Sequence, residues 1–112
     1  MKTDNHRRHE RHPVSIPLVF RDAVELRQEY TENISRSGMF VKTGRLLEHG
    51  DMVTLTIEIP DTHEKLEVDG YVEFHRQPDA KHAEGVGIQF IAISPDGWKA
   101  LERYLDRLDQ RH

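Results

Sequence analysis

Val53-Thr54-Leu55-Thr56-Ile57-Glu58-Ile59 is the stretch that decides the fold. Its apolar residues alternate strictly with polar ones, the period of a strand with one face buried and one face wet. Pro60-Asp61-Thr62 ends it, since proline has no N–H to give to a ladder. The same period returns downstream in Leu66, Val68, Gly70, Val72 and Phe74, where a mid-strand glycine predicts a bulge or a sharp bend. A polar hairpin loop, Gln77 to Glu84, leads to a last strand through Val86, Ile88 and Phe90, with Gly85 and Gly87 relieving local crowding.

Upstream, Val14, Ile16, Leu18 and Phe20 alternate, and Pro13 and Pro17 mark the entry into extended structure. Arg21-Asp22-Ala23 turns the chain. Val24, Leu26, Gln28 and Tyr30 continue a second strand, with Glu25, Arg27 and Glu29 on its wet face. Asn33 to Gly38 reads as a turn or bulge, after which Met39-Phe40-Val41 is extended again. Thr43 to Asp51, punctuated by Gly44 and Gly50, reads as a loop.

The period changes at the end. Ser94 is suited to cap a helix, Pro95 to its first position, and Asp96 to the positive end of its dipole. Trp98, Leu101, Leu105 and Leu108 follow at helical spacing, with Tyr104 beside them, so the helix is expected over about 94–109 with this stripe on the sheet. Trp98 falls in the core on this register. The fold class is therefore mainly β: some six antiparallel strands forming a barrel closed or capped at one end, with a C-terminal α-helix.

The 112 residues suffice for one such domain. At 36% hydrophobic and 32% charged the chain is polar, yet the apolar residues are too well patterned for disorder. Cysteine is absent, which removes disulfides, thiolate metal sites and cysteine nucleophiles. No apolar run approaches a membrane span, and no signal-peptide core follows the start, so a soluble cytoplasmic protein is expected.

The formal net charge of −4 is unevenly spread. Residues 1–12 hold Lys2, Arg7, Arg8 and Arg11 against Asp4 and Glu10, a net +2, leaving −6 on residues 13–112. We read residues 1–12 as a flexible basic arm and 13–112 as the barrel with its helix. Such a body is a poor match for a long polyanion, whose binding rests on a basic field. A basic arm beside it suits a small anion. Arg7, Arg8 and Arg11 supply planar, permanently charged forks for phosphate oxygens or the O6/N7 edge of guanine. Asn33, Ser35 and Gly38 supply an amide, a hydroxyl and a permissive turn. Taken alone the arginines are a solvated tail and the turn is ordinary turn chemistry; the pairing of the two segments favours a ligand site. Arg36 is expected to point to solvent, with a phosphate contact as the alternative.

Arg7-x-x-x-Arg11, then a strand, then Asn33-x-Ser35-x-x-Gly38, resembles the two-part signature of the PilZ domain family, and the likeness extends through Gly85-Val86-Gly87-Ile88-Gln89-Phe90 to the final helix. That bacterial family is known for binding cyclic di-GMP. The resemblance implies a six-stranded antiparallel barrel over which the arm closes on the nucleotide. It implies that Arg7 and Arg11, with Arg8 beside them, contact guanine edges and phosphates, and that Asn33, Ser35 and Gly38 hold another guanine edge and a phosphate. Many members have Asp at the position of Asn33, and Asn carries no charge for a guanidinium.

The function expected is thus a non-enzymatic cyclic di-GMP receptor that passes the signal to a protein partner by ordering its arm, with no cofactor. The alternative is a protein-interaction module that keeps the barrel and works without nucleotide. Single-stranded nucleic acid on a small barrel would need exposed aromatics in a basic groove, whereas Trp98 and most of Phe20, Phe40, Phe74 and Phe90 are assigned to the core. His6, His9 and His12 invite a metal reading, but an arm without fixed geometry or a carboxylate cluster at ligand spacing does not favour one. No nucleophile–base pair or paired-carboxylate spacing stands out.

Overall fold

The computed structural model describes residues 11–21 and 28–110. Arg7, Arg8, most of the arm, and the first half of the expected second strand, including Val24 and Leu26, lie outside the described residues. Within them run seven strands and one helix: β1 (His12–Pro13), β2 (Pro17–Phe20), β3 (Gln28–Ile34), β4 (Gly38–Lys42), β5 (Met52–Glu58), β6 (Lys65–Arg76), β7 (Gly85–Ile93) and α1 (Pro95–Asp109). The sheet order is β1-β3-β2-β5-β6-β7-β4, and a further β3–β4 pairing closes it. Every pairing is antiparallel. The result is a closed six-stranded barrel, with the two-residue β1 laid against the end of β3.

The alternation of β5 holds: Val53, Leu55, Ile57 and Ile59 are buried. They meet Leu18, Phe20, Leu66, Val68, Val72, Val86, Ile88, Met39 and Val41 in one core. The helix closes this core with Ala100, Leu101, Tyr104 and Leu105, while Trp98 and Leu108 pack partly buried at its margin. Ser94 caps α1 by accepting from the Gly97 N–H at 3.1 Å.

Gly70 marks the irregularity expected of it. The β6–β7 register slips between Asp69 and Gly70, and a Cβ at Gly70 would lie 2.7 Å from the Gln89 carbonyl oxygen. A second slip, between Val72 and Phe74, turns Phe74 outward, where it is 46% exposed. Phe74 is therefore not a core residue, contrary to the reading from alternation alone.

β3 departs most from expectation. Its register against β4 slips between Thr31 and Asn33, so Glu32 is an extra residue. A bulge of this kind switches the buried parity. Glu29 and Thr31 are buried before it, and Ile34 after it. Glu29 is thus not on the wet face; it faces Arg45, whose Nε donates to its carboxylate. Tyr30, assigned to the apolar face, is exposed. The apolar pattern misled here because polar residues with dedicated partners fill the inward positions. Thr31 is the clearest case. Its hydroxyl accepts from the Ile16 N–H at 2.9 Å and donates to the Val14 carbonyl at 3.1 Å, spanning the gap between β1 and β2.

Candidate functional site

The bulge at Glu32 sets the site. It brings Asn33 opposite Pro13 on one side and Phe40 on the other. Asn33 is therefore a strand residue at the base of the arm, and the turn proper is confined to Ser35–Ser37. The Arg11 guanidinium donates to Asn33 Oδ1 at 3.0 Å. The two halves of the sequence motif meet in this bond. The amide carbonyl supplies the acceptor that the missing carboxylate would have supplied, and the amide N–H pair keeps its donor capacity.

Ser35 and Gly38 act first on the turn. The Ser35 N–H donates to the Gly38 carbonyl at 2.8 Å, and its hydroxyl bonds the same oxygen at 3.3 Å while accepting from the Ser37 N–H. Ser35 is buried. Gly38 pairs with Gln89, and a Cβ there would lie 2.3 Å from the Ile88 carbonyl oxygen. Glycine is thus required for the approach of β4 to β7. Arg7 and Arg8 lie outside the described residues, so this geometry joins Arg11, Asn33, Ser35 and Gly38.

The outer face beside Asn33 carries groups that sequence reasoning missed. Across the strands, Asn33 pairs with Phe40, Phe40 with Gly87, and Gly87 with Phe74. The Phe40 and Phe74 rings stack with centroids 5.9 Å apart. A Cβ at Gly87 would lie 2.2 Å from the Phe74 ring, and one at Gly85 2.6 Å from the Phe40 ring. The glycines therefore form a floor on which two rings lie flat. The alternating glycines were the available signal.

Arg76 covers this shelf, its guanidinium carbon 4.0 Å from the Phe40 ring centre. It grips Glu32 with both terminal nitrogens, at 2.9 and 3.3 Å, and donates to the Ala83 carbonyl. The hydrogen bond from Arg76 holds the Glu32 carboxyl below its ordinary value, and the same bond raises Arg76.

Arg36 does not point to solvent. Its Nη1 donates to Glu102 at 2.9 Å and its Nη2 to Asp106 at 3.1 Å, both on α1. His12, buried at the root of the arm, lies 3.1 Å from Asp109 on the same helix. Among the described residues no cluster of three His, Asp or Glu is placed to hold a metal ion. No helix there is long and apolar enough to cross a membrane.

The closed barrel thus carries both motif segments on one wall, joined by the Arg11–Asn33 bond. The chain belongs to the PilZ domain family, whose model matches residues 5–107. Solved structures agree on the fold. An inhibitor of motility from Bacillus subtilis (MotI/DgrA) superposes with a TM-score of 0.81 at 18% identity, over 92% of this chain and 50% of that one. The PilZ domain of YcgR from Escherichia coli, solved with c-di-GMP, gives 0.70 at 13% identity over 93% of this chain and 92% of that one. The chain thus spans half the length of the motility inhibitor. No curated protein matches it in sequence.

Proposed function

We propose that this domain is a cytoplasmic bacterial receptor for cyclic di-GMP. It performs no catalysis, and it signals by fixing its N-terminal arm on the barrel and so changing the surface offered to a protein partner. The observation that carries this reading is the Arg11–Asn33 bond, which unites the two motif segments on the outer wall. Membership of a family known for this ligand supports it.

The ligand is a dianion with two guanine faces. Each bidentate Arg–guanine contact contributes about 1–3 kcal/mol. Fixing each arm residue costs about 1–2 kcal/mol of backbone entropy. One contact does not offset an arm of several residues, so Arg7, Arg8 and Arg11 must act together with Asn33 and the turn of Ser35 and Gly38. Phe74 adds an exposed ring for a base to stack on, worth about 1–3 kcal/mol.

Calorimetry with cyclic di-GMP tests the reading. The wild type is expected to bind, Arg7→Ala and Arg11→Ala to lose most of the affinity, and Phe74→Ala to weaken it about 5- to 150-fold with little loss of stability. No heat of binding at high micromolar nucleotide would reject the receptor and leave a nucleotide-independent interaction module. Unchanged affinity in Arg11→Ala would reject the residue assignment.

A further inference from the structure

Arg36 sits one residue beyond Ser35, yet it is turned onto α1. Glu102, Asp106 and Asp109 stand four and three residues apart, which places them along one face of the helix. The first two take Arg36 and the third takes His12. Both motif segments are therefore fastened to the same acidic stripe, the turn through Arg36 and the arm through His12. Among the described residues, these three carboxylates meet the Arg36 guanidinium and the His12 imidazole beside the turn.

We propose that Arg36 is an affinity-setting ligand residue held back by Glu102 and Asp106. A nucleotide phosphate at the turn draws Arg36 off the helix, and the two carboxylates set how much nucleotide is needed. The inference rests on the cyclic di-GMP reading and adds a residue and a threshold to it. The exchange is accessible because these are surface pairs: the Arg36 side chain is 30% exposed and its partners 42% and 58%. Such pairs contribute little, whereas a guanidinium–phosphate fork is among the stronger charged contacts. The helix stays seated when Arg36 leaves. Its other flank is tied by Arg107 to Asp61 and by Arg103 to Glu64, and Leu101 and Leu105 remain in the core.

The test titrates the full chain with cyclic di-GMP. Glu102→Gln combined with Asp106→Asn is expected to tighten binding about three- to tenfold, the range of one or two surface ion pairs. Adding Arg36→Gln to that variant should abolish the gain. Asp61→Asn with Glu64→Gln makes the same change in net charge on the other flank and should leave affinity within about twofold of wild type. In the wild type, the Arg36 Nε–H resonance should move at saturation. The inference is overturned if the Glu102/Asp106 variant binds no more tightly than wild type, if the Asp61/Glu64 control tightens equally, or if the resonance stays in place. Wild-type protein that ignores the nucleotide overturns the receptor reading and this inference together; a wild type that binds while the variant does not tighten overturns this inference alone.

Discussion

Thr31→Val removes two hydrogen bonds and almost no volume. Thr31 is completely buried, and its hydroxyl serves the Ile16 N–H and the Val14 carbonyl where the chain passes from β1 to β2. Valine fills the same space, so the cavity term that dominates most core substitutions is absent. What remains is one N–H and one C=O without a partner. A buried unsatisfied group costs about 1–3 kcal/mol. Ile16 is fully buried and its N–H bears the larger share; Val14 is half-buried, so water can reach its carbonyl. The total is about 2–4 kcal/mol, a large part of the ~5–15 kcal/mol that holds a typical domain together. Urea unfolding measures it directly. With a slope of about 2 kcal/mol per molar, within the ~1–3 range for small proteins, the midpoint should fall by about 1–2 M at unchanged slope. A loss below about 0.5 kcal/mol would refute the claim that this hydroxyl bridges the β1–β2 gap, since that is the scale of an ordinary surface substitution.

Two further outcomes follow from the same geometry. Gly38→Ala should destabilise more than Gly87→Ala in thermal melts, because its new Cβ meets the Ile88 backbone carbonyl whereas that of Gly87 meets the Phe74 ring, which can swing into solvent. Gly87→Ala should cost about 1–3 kcal/mol, and equal costs would contradict the ranking. The Glu32 carboxyl is held below its ordinary value by Arg76, so the stability it lends is full above pH 4.5 and is lost as pH falls through its folded-state value. Acid titration of unfolding should therefore be shallower below pH 4.5 in Glu32→Gln than in wild type, and parallel curves would remove Glu32 from the account.

Much of the barrel was legible because β5, β6 as far as Val72, β7 through Ile88, and α1 bury apolar residues at the period their backbone imposes. Val53 through Ile59 and Leu101 with Leu105 announce themselves, and so does the Ser94 cap. β3 was not legible in the same way. Its inward positions hold Glu29 and Thr31, and a bulge at Glu32 then switches faces, so hydropathy carried the wrong phase. The site followed the same division. Arg11, Asn33, Ser35 and Gly38 were readable as types at a spacing. The bond between Arg11 and Asn33, the hold of α1 on Arg36, and the exposed Phe74 depend on which strands the barrel sets side by side. Arg36 in particular finds its partners 66 and 70 residues away, beyond the reach of any local pattern.

The brevity of β1 has a kinetic consequence. His12 and Pro13 pair with the last two residues of β3, and the strand they would follow ends there. Among the described residues the β1–β3 ladder therefore stops at the His12–Ile34 pair. Arg11 is anchored one residue from this pairing through Asn33, and Arg8 and Arg7 precede it by three and four positions in the sequence. A tether that short corresponds to a local concentration on the order of millimolar. On the receptor reading proposed above, closure of the arm over a bound dianion would be a unimolecular event, independent of protein concentration and weakened by rising ionic strength.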